Sequence, residues 1–192
     1  KKGFDSLRKY HGMSGFPKRD ESNCDAFDTG HSSTSLSAGL GMVCARELKK
    51  DKYTVVSVIG DGSLTGGLAF EALNNAASLK SNYIMILNDN HMSISENVGG
   101  LSHYLAGVRT AKGYTNFKKN VKASLSKMNA IGEELERNIR RAKSMLKQVF
   151  IPGMFFEDMG ITYLGPIDGH NIEALTEVIE DAKQVEGAVL IH

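Results

Sequence analysis

The chain has 192 residues, of which 41% are hydrophobic and 23% are charged, proportions that are ordinary for a globular protein. Its length suits one domain with a small appendage. The sequence opens with no recognisable signal peptide and has no apolar run near the roughly 20 residues that span a bilayer, so we expect no membrane partner.

The net charge of +1 hides an uneven distribution of charged residues. Residues 112–147 contain ten Lys or Arg and three Glu, a net charge of +7, which leaves −6 for the rest of the chain. A basic block of this kind can bind phosphates, but a solvated helix face is the commoner explanation, and we expect no nucleic-acid partner. The two cysteines, Cys24 and Cys44, offer no disulfide framework, which indicates a reducing compartment.

From residue 33 onward, helical spacing alternates with short apolar runs. The spacing predicts helices over residues 33–50, 66–80 and 171–185, the last with Asn171 as its N-cap. The apolar runs predict strands over residues 53–59, 83–87, 161–164 and 188–191. Because apolar strands separated by helices indicate a covered parallel sheet, we predict an α/β fold, with a doubly wound, mostly parallel sheet and helices on both faces.

The first two predicted helices differ in their side chains. The helix over residues 33–50 is rich in Ser, Ala and Gly, whose small side chains allow close packing against another backbone. The helix over residues 66–80 has apolar residues at helical spacing, namely Leu68, Ala72, Leu73 and Ala76.

A longer apolar pattern occupies the middle of the chain. Between Val121 and Val149, apolar residues recur with a mean period of about 3.5 residues. This pattern predicts a helical arm over residues 117–150, formed by one amphipathic helix or by a helix pair broken near Gly132. A packed arm is the commoner outcome of such a pattern, and a coiled-coil partner site is the less common one.

Polar residues follow the first two predicted strands at the point where each strand ends. Asp61 comes directly after the first strand, and Asn88-Asp89-Asn90 follows the second. Because the parallel strands of a βαβ unit end at one edge of the sheet, Asp61 and Asn90 can approach each other although they are 29 positions apart. A carboxylate and an amide oxygen suit Mg²⁺, which is often held by few protein ligands together with substrate phosphates.

The residues around Asp61 indicate a phosphate site. Gly60 and Gly62 allow a tight turn, and backbone amides near Gly62 and Ser63 can donate to phosphate oxygens where the next helix begins. A dinucleotide fingerprint is excluded because the glycines at 60, 62 and 66 are spaced one residue too widely. The acidic residue expected about 20 positions later is also absent. A purely structural turn remains the alternative.

Four separated motifs carry a resemblance to one family. They are Thr29-Gly30-His31-Ser32-Ser33-Thr34-Ser35, Gly60-Asp61-Gly62, Asn88-Asp89-Asn90 with Met92-Ser93-Ile94-Ser95, and Gly165-Pro166-Ile167-Asp168-Gly169-His170. In this order, over nearly the whole chain, they resemble the first domain of the 1-deoxy-D-xylulose-5-phosphate synthases, which are transketolase-like enzymes that use thiamine diphosphate.

The resemblance implies an activity and its cofactors. Such a transferase condenses pyruvate with D-glyceraldehyde 3-phosphate, with loss of CO₂, and its product serves isoprenoid, thiamine and pyridoxal biosynthesis. The implied cofactors are thiamine diphosphate and Mg²⁺. The implied partners are the remaining domains of the same enzyme and a second copy in a homodimer. The bacterial cytoplasm is favoured over the plastid stroma as the compartment.

The resemblance also implies the roles of individual residues. Mg²⁺ would be bound by Asp61, by the Asn90 side chain and by the backbone carbonyl of Met92. The residues implied to contact the cofactor are Gly30, His31, Ser32, Gly62, Ser63 and Asn90. His31 is in addition the candidate catalytic residue, since an imidazole could donate to a phosphate or to a reacting carbonyl.

We expect the chain to be a piece of a longer polypeptide, with residues 1–192 forming a diphosphate- and Mg²⁺-binding domain that is incomplete at both ends. Residues 188–192 read as a strand with no turn after them, and the family's second domain is missing from the sequence. Because that domain supplies the glutamate that activates the cofactor, the resemblance implies that this chain alone is inactive. Another transketolase-type enzyme and a non-catalytic nucleotide- or metabolite-binding module remain alternatives.

Overall fold

The structure of the protein is a computed structural model, and it describes residues 2–90, 99–110 and 154–192. Its centre is a sheet of the strands β1 (Val56–Gly60), β2 (Tyr83–Asn88), β3 (Thr162–Leu164) and β4 (Ala188–Ile191). The spatial order is β1-β2-β4-β3, and all three strand pairs are parallel. The four predicted strands and their parallel arrangement are therefore confirmed.

Helices precede and follow these strands. The described residues form a short 3-10 helix at Lys2–Ser6 and the α-helices α1 (Ser35–Lys49), α2 (Asp61–Leu64), α3 (Gly67–Ala76), α4 (Gly100–Thr110), α5 (Met154–Asp158) and α6 (Ile172–Lys183). The predicted helices over residues 33–50, 66–80 and 171–185 are confirmed as α1, α3 and α6. The N-cap of α6 is Asn171 as predicted, because its side chain accepts a hydrogen bond from the Ala174 amide at 3.0 Å.

Two parts of the helical structure differ from the predictions or lie beyond them. The helices α4 and α5 have no counterpart among the sequence predictions. The predicted arm over residues 117–150 lies outside the described residues. Within the described residues, no helix is long and apolar enough to cross a membrane.

Each face of the sheet packs against its own apolar core. On one face, alternate residues of β2, namely Tyr83, Met85 and Leu87, pack with buried side chains of α1, α3 and α4. On the other face, Ile84 of β2 and Val189 of β4 belong to a second cluster with α6. Helices thus cover both faces, which confirms the predicted fold class.

Strand β1 is covered less completely than β2 and β4. Its residues Ser57 and Ile59 are buried against α1 and α3, whereas Val56 and Val58 on the opposite face are 44% and 58% exposed. In the part of the chain that the structure describes, α6 packs under β2 and β4 and does not reach this side of β1.

Two details of the sequence prediction are corrected by the structure. Strand β1 begins at Val56 and not at Tyr53, because the Tyr53 carbonyl accepts a hydrogen bond from the Arg46 side chain at 3.0 Å. In α3 the helical spacing named from the sequence does not coincide fully with the buried face, since Leu68 is 43% exposed. Ala69 is buried in its place, because Ala69 continues the i, i+3, i+4, i+7 series that ends at Ala76.

Candidate functional site

The carboxyl ends of β1 and β2 bring two carboxylates together. Gly60 of β1 pairs with Asn88 of β2, so Asp61 and Asp89 leave the sheet side by side. Asp61 begins α2, is 3% exposed, and shares a side-chain hydrogen bond with Asp89. Burial raises the pKa of Asp61, and the hydrogen bond and charge of Asp89 raise it further, while the Gly62 amide opposes the shift. Two buried carboxylates in contact create a strong local attraction for a cation.

Asp89 is held from its other side by the end of β4. Its Oδ2 lies 3.0 Å from Nε2 of His192, and both side chains are almost fully buried. Nδ1 of His192 in turn lies 2.8 Å from the hydroxyl of Tyr163, which is completely buried on β3. A continuous row of polar side chains, formed by Asp61, Asp89, His192 and Tyr163, therefore crosses all four strands at their carboxyl ends.

The loop that precedes α1 lies beside the end of β1. The two enclose a cavity of about 240 Å³ with the lining residues Phe27, Thr29, His31, Ser32, Ser33, Thr34, Ser35, Val58, Ile59, Gly60 and Ser63. The first two sequence motifs, which are far apart in the chain, thus share one concave surface. Of the six predicted cofactor-contacting residues, His31, Ser32 and Ser63 line this cavity.

Hydrogen bonds within the loop define the orientation of His31. The hydroxyls of Thr29 and Thr34 both donate to the His31 carbonyl at 3.2 Å. Nδ1 of the exposed His31 ring lies 2.8 Å from the Ser32 carbonyl, which can only accept, so Nδ1 carries a proton. In the neutral ring Nε2 is then an acceptor, and it can donate to a phosphate only as the imidazolium.

The remaining predicted residues have different surroundings. Gly30 and Asn90 are exposed, and Gly62 is half-buried within α2. Asn90 is one residue beyond Asp89, so it lies at the same end of the sheet as Asp61. Met92, whose backbone carbonyl was predicted as a metal ligand, lies outside the described residues.

The fourth motif packs against the end of β4. The His192 amide donates to the Leu164 carbonyl at 2.9 Å, and the Ile167 amide donates to the His192 carbonyl at 2.8 Å. This loop contributes Pro166, Ile167 and Gly169 to a cavity of about 300 Å³, which Asp89 and His192 also line. Residues of all four motifs therefore lie at the carboxyl end of the sheet.

The residues at this end fit a hard cation and a diphosphate. The Asp61 carboxylate and the Asn90 amide oxygen, next to the Asp89 carboxylate, are donors of the kind that Mg²⁺ prefers. The adjacent cavity offers the hydroxyl groups of Thr29, Ser32 and Ser63 beside apolar side chains such as Phe27 and Val58. Within residues 2–90, 99–110 and 154–192, no three His, Cys, Asp or Glu side chains converge as a complete metal-binding group. An ion bound here would therefore take further oxygens from a ligand, which is how Mg²⁺ is commonly held with phosphates.

Sequence reasoning named no role for Asp89, His192 or Tyr163. For Asp89 and His192, the sequence does contain a signal, which is the alternation of buried residues along each strand. In each of three strands, every second residue is buried on the same face, and this series continues to a polar residue just after the strand. The series are Val55, Ser57, Ile59 and Asp61 for β1, Tyr83, Met85, Leu87 and Asp89 for β2, and Ala188, Leu190 and His192 for β4. Because alternate residues of a strand point to the same face, this parity predicts that Asp61, Asp89 and His192 share a face.

Comparison with known proteins gives a consistent family match. The family model described as 1-deoxy-D-xylulose-5-phosphate synthase matches residues 1–192. The 1-deoxy-D-xylulose-5-phosphate synthase of Lachnoclostridium phytofermentans is 58% identical over 192 residues, and that of Clostridium beijerinckii is 57% identical over the same length. Both alignments cover 100% of this chain and 31% of the relative, so the chain spans about a third of the length of the curated relatives it matches.

Solved structures with a similar fold come from transketolases. The transketolase of Campylobacter jejuni matches with a TM-score of 0.65 and 20% identity, and the alignment covers 99% of this chain and 24% of that one. The transketolase of Leishmania mexicana matches with a TM-score of 0.61 and 17% identity, at the same coverage of both chains. At these identities the similarity concerns the fold, a parallel α/β domain.

Proposed function

Because this chain belongs to the 1-deoxy-D-xylulose-5-phosphate synthase family, we propose that it forms the Mg²⁺- and diphosphate-binding part of such an enzyme. The longer enzyme would condense pyruvate with D-glyceraldehyde 3-phosphate, release CO₂, and form 1-deoxy-D-xylulose 5-phosphate. That activity belongs to the longer polypeptide, since the chain spans 31% of its relatives. Its product would serve isoprenoid, thiamine and pyridoxal biosynthesis.

The observation that carries this proposal is the buried pair formed by Asp61 and Asp89 at the end of the sheet. Asp61 and Asn90 would bind Mg²⁺ through their side chains, and Met92 would bind it through its backbone carbonyl. The charge of the ion would offset the repulsion between the two carboxylates, which otherwise makes ionised Asp61 unfavourable. The buried pair therefore supports a cation at this end of the sheet.

The cavity beside Asp61 supports a diphosphate next to that ion. Gly62 and Ser63 would donate from their backbone amides, and Gly30, His31 and Ser32 would form the opposite wall. Thiamine diphosphate supplies, when bound, the nucleophilic carbon that reacts with 2-oxo acids. The residues of this chain would hold its diphosphate, and the exposed His31, as the imidazolium, would donate from Nε2 to a phosphate or to a substrate carbonyl.

Calorimetry on the full-length enzyme that contains this chain tests the proposal. We expect thiamine diphosphate to bind with Mg²⁺ present and to lose this binding when the ion is chelated. Asp61→Ala should abolish the Mg²⁺-dependent binding, whereas Asp181→Asn, which changes an exposed carboxylate of α6, should leave it intact. Binding that needs no Mg²⁺, or tight NAD binding, would contradict the proposal and favour a metabolite-binding module.

A second assay separates the synthase from another transketolase-type enzyme. The synthase should accept pyruvate as the donor and should not use a ketose phosphate in its place. Turnover with a ketose phosphate and none with pyruvate would contradict the proposed reaction while leaving the metal site intact.

The assembly and the compartment are part of the same proposal. We propose a homodimer, as the family resemblance implies, and the bacterial cytoplasm as its compartment, because the two relatives named above are bacterial synthases. Light scattering of the full-length enzyme should give twice the mass of one chain. A mass equal to one chain would contradict the proposed dimer.

A further inference from the structure

The row of polar side chains along the carboxyl end of the sheet extends well beyond the predicted metal ligands. It begins at Asp61 after β1, continues through Asp89 after β2 and His192 after β4, and ends at Tyr163 within β3. Asp61, His192 and Tyr163 are at most 8% exposed, and the side chain of Asp89 is 3% exposed. Buried polar groups cost free energy unless they are hydrogen-bonded, so a row of four needs a specific explanation.

The hydrogen bonds of the row have a defined direction. An ionised Asp89 carboxylate can only accept, so Nε2 of His192 is the donor across the 3.0 Å contact. In that neutral form of the ring, Nδ1 is an acceptor, and the Tyr163 hydroxyl donates to it across 2.8 Å. The contact with Tyr163 is thus compatible with the form of His192 that donates to Asp89.

The position of His192 is also fixed through its backbone. Its amide and its carbonyl both hydrogen-bond to the loop after β3, through Leu164 and Ile167. The ring is consequently held by the sheet on one side and by the loop on the other, before any ligand binds.

From this geometry we propose that His192, with Tyr163, is a positioning residue for the cation site, which it supports by holding the Asp89 carboxylate against Asp61. The inference rests on the proposed function for the identity of the cation as Mg²⁺. His192 itself touches neither the ion nor the substrate. It acts as the outer partners of metal ligands do, by fixing the orientation of a carboxylate that faces the ligand Asp61.

The physical reason is the repulsion between the two carboxylates. Asp61 and Asp89 can share a hydrogen bond only while one of them is protonated, and once both are ionised the donor on His192 helps to hold Asp89 beside Asp61. Removing the imidazole takes away one donor of a buried carboxylate, which then moves or finds other partners. Loss of a group that hydrogen-bonds a metal ligand typically weakens metal affinity about 10–100-fold, and His192 is one contact further from the ion, so its loss should have a smaller effect.

The test uses the full-length enzyme with Mn²⁺ in place of Mg²⁺, because electron paramagnetic resonance measures free Mn²⁺ directly. The Kd for Mn²⁺ is measured with thiamine diphosphate present. His192→Phe should raise this Kd by up to about 10-fold. Tyr163→Phe, which removes one hydroxyl, should raise it by a smaller factor. His192→Gln should recover most of the affinity, since its side-chain amide can donate to Asp89 as Nε2 does.

Tyr83→Phe is the matched control. Tyr83 is as completely buried as Tyr163, lies on the same face of the sheet, and donates its hydroxyl within the core to the Leu36 carbonyl at 2.8 Å. Its removal should lower the thermal unfolding midpoint and leave the Kd for Mn²⁺ unchanged. If folded His192→Phe leaves the Kd unchanged, or if Tyr163→Phe and Tyr83→Phe raise it by the same factor, His192 is a structural residue only and the proposal is wrong.

Asp61→Asn, measured in the same series, separates this inference from the proposed function. If Asp61→Asn leaves Mn²⁺ binding intact, the metal assignment itself fails. If Asp61→Asn abolishes binding while folded His192→Phe and Tyr163→Phe bind normally, only the positioning role fails. Should His192→Phe not fold, the comparison of Tyr163→Phe with Tyr83→Phe decides the question by itself.

Discussion

The two ends of the parallel sheet use buried polar side chains in opposite ways. At the amino end, Arg46 donates to the carbonyls of Tyr53 and Asn82 at 3.0 and 2.9 Å, and the Asn82 side chain donates to the carbonyls of Ala182 and Val185, both at 2.8 Å. These donors satisfy backbone acceptors and join α1, β1, β2 and α6. At the carboxyl end the contacts run between side chains, and they include two adjacent carboxylates.

This difference distinguishes side chains that stabilise the fold from side chains that can bind a ligand. A buried arginine whose nitrogens all donate to fixed acceptors is complete without a ligand, whereas a buried pair of carboxylates is completed by a cation. Cavity size alone would not identify the functional site, because the amino end has a cavity of about 370 Å³, which is larger than the cavity beside Asp61. Arg46 lines the cavity at the amino end, and its nitrogens already donate hydrogen bonds to Glu47, Tyr53 and Asn82.

The largest expected effect is at the carboxyl end. Asp61→Asn should reduce the Mg²⁺-dependent affinity for thiamine diphosphate by at least about 100-fold, because it removes the charged ligand of the ion. The thermal midpoint of the metal-free enzyme should stay the same or rise. Burial and Asp89 raise the pKa of Asp61, so the ionised group opposes folding at neutral pH, and a neutral amide removes that cost. A lower midpoint in the absence of metal would contradict this account of the pair.

At the amino end, a substitution should lower stability and leave metal binding unchanged. Arg46→Ala should lower the local unfolding free energy of α1, β1 and β2 by about 3 kcal/mol, because two buried carbonyls lose charged donors. Hydrogen exchange of amides in these elements measures the change. The Kd for Mg²⁺ should not change. The exposed Arg19→Ala, which breaks a solvent-screened surface pair with Asp28, should leave the thermal midpoint essentially unchanged.

A smaller effect is expected in the packing of α1 against the sheet. A Cβ on Gly39 would overlap Ser57 Oγ and would lie 2.6 Å from the Tyr83 hydroxyl, so Gly39→Ala should destabilise the domain by about 1–3 kcal/mol. Gly41 lies on the same helix, and a Cβ added there would have no neighbouring atom within 4 Å among the described residues. Gly41→Ala should therefore be neutral or stabilise by up to about 1 kcal/mol. Equal effects of the two changes on the thermal midpoint would contradict the close packing.

The smallest effect concerns the start of α6. Asn171→Ala removes the side chain that caps the Ala174 amide and should destabilise α6 by about 1 kcal/mol, measured by hydrogen exchange of its first turn. Asn171→Ser should retain most of that stability. Protection that is unchanged in Asn171→Ala would show that the cap contributes nothing.

The fold was predictable from local patterns, because strands and helices in this chain follow their apolar periodicity. The runs at residues 83–87 and 188–191 are buried on both faces and therefore continuously apolar, which identifies them as central parallel strands. The helix α4 was not predicted, because Gly107 in its interior and its Ser, His, Tyr, Val and Thr residues give it a weak helix propensity. The short helix α5 spans little more than one turn, which is too short to establish a period.

The candidate site was predictable only in part. Motifs identified Asp61, and the parallel sheet explains why it meets residues that follow β2. Asp89 lies inside a motif that was identified from the sequence, but no role was predicted for it. The family resemblance implies a role for Asn90 and none for its neighbour Asp89, whose side chain is buried. The contact of His192 with Asp89 could not be predicted, because it depends on the strand order β1-β2-β4-β3, which places β4 next to β2. Local sequence patterns do not contain this order.

The position of the cation is the sharpest test of the proposed site. A crystal structure of the full-length enzyme with thiamine diphosphate and Mn²⁺, which prefers the same oxygen ligands as Mg²⁺, locates the ion by its anomalous scattering. We predict a peak roughly 2 Å from a carboxylate oxygen of Asp61, at the carboxyl end of β1 and β2. A peak outside the coordination distance of Asp61, or a diphosphate bound at this end without a cation, would contradict the assignment of Asp61 as a metal ligand.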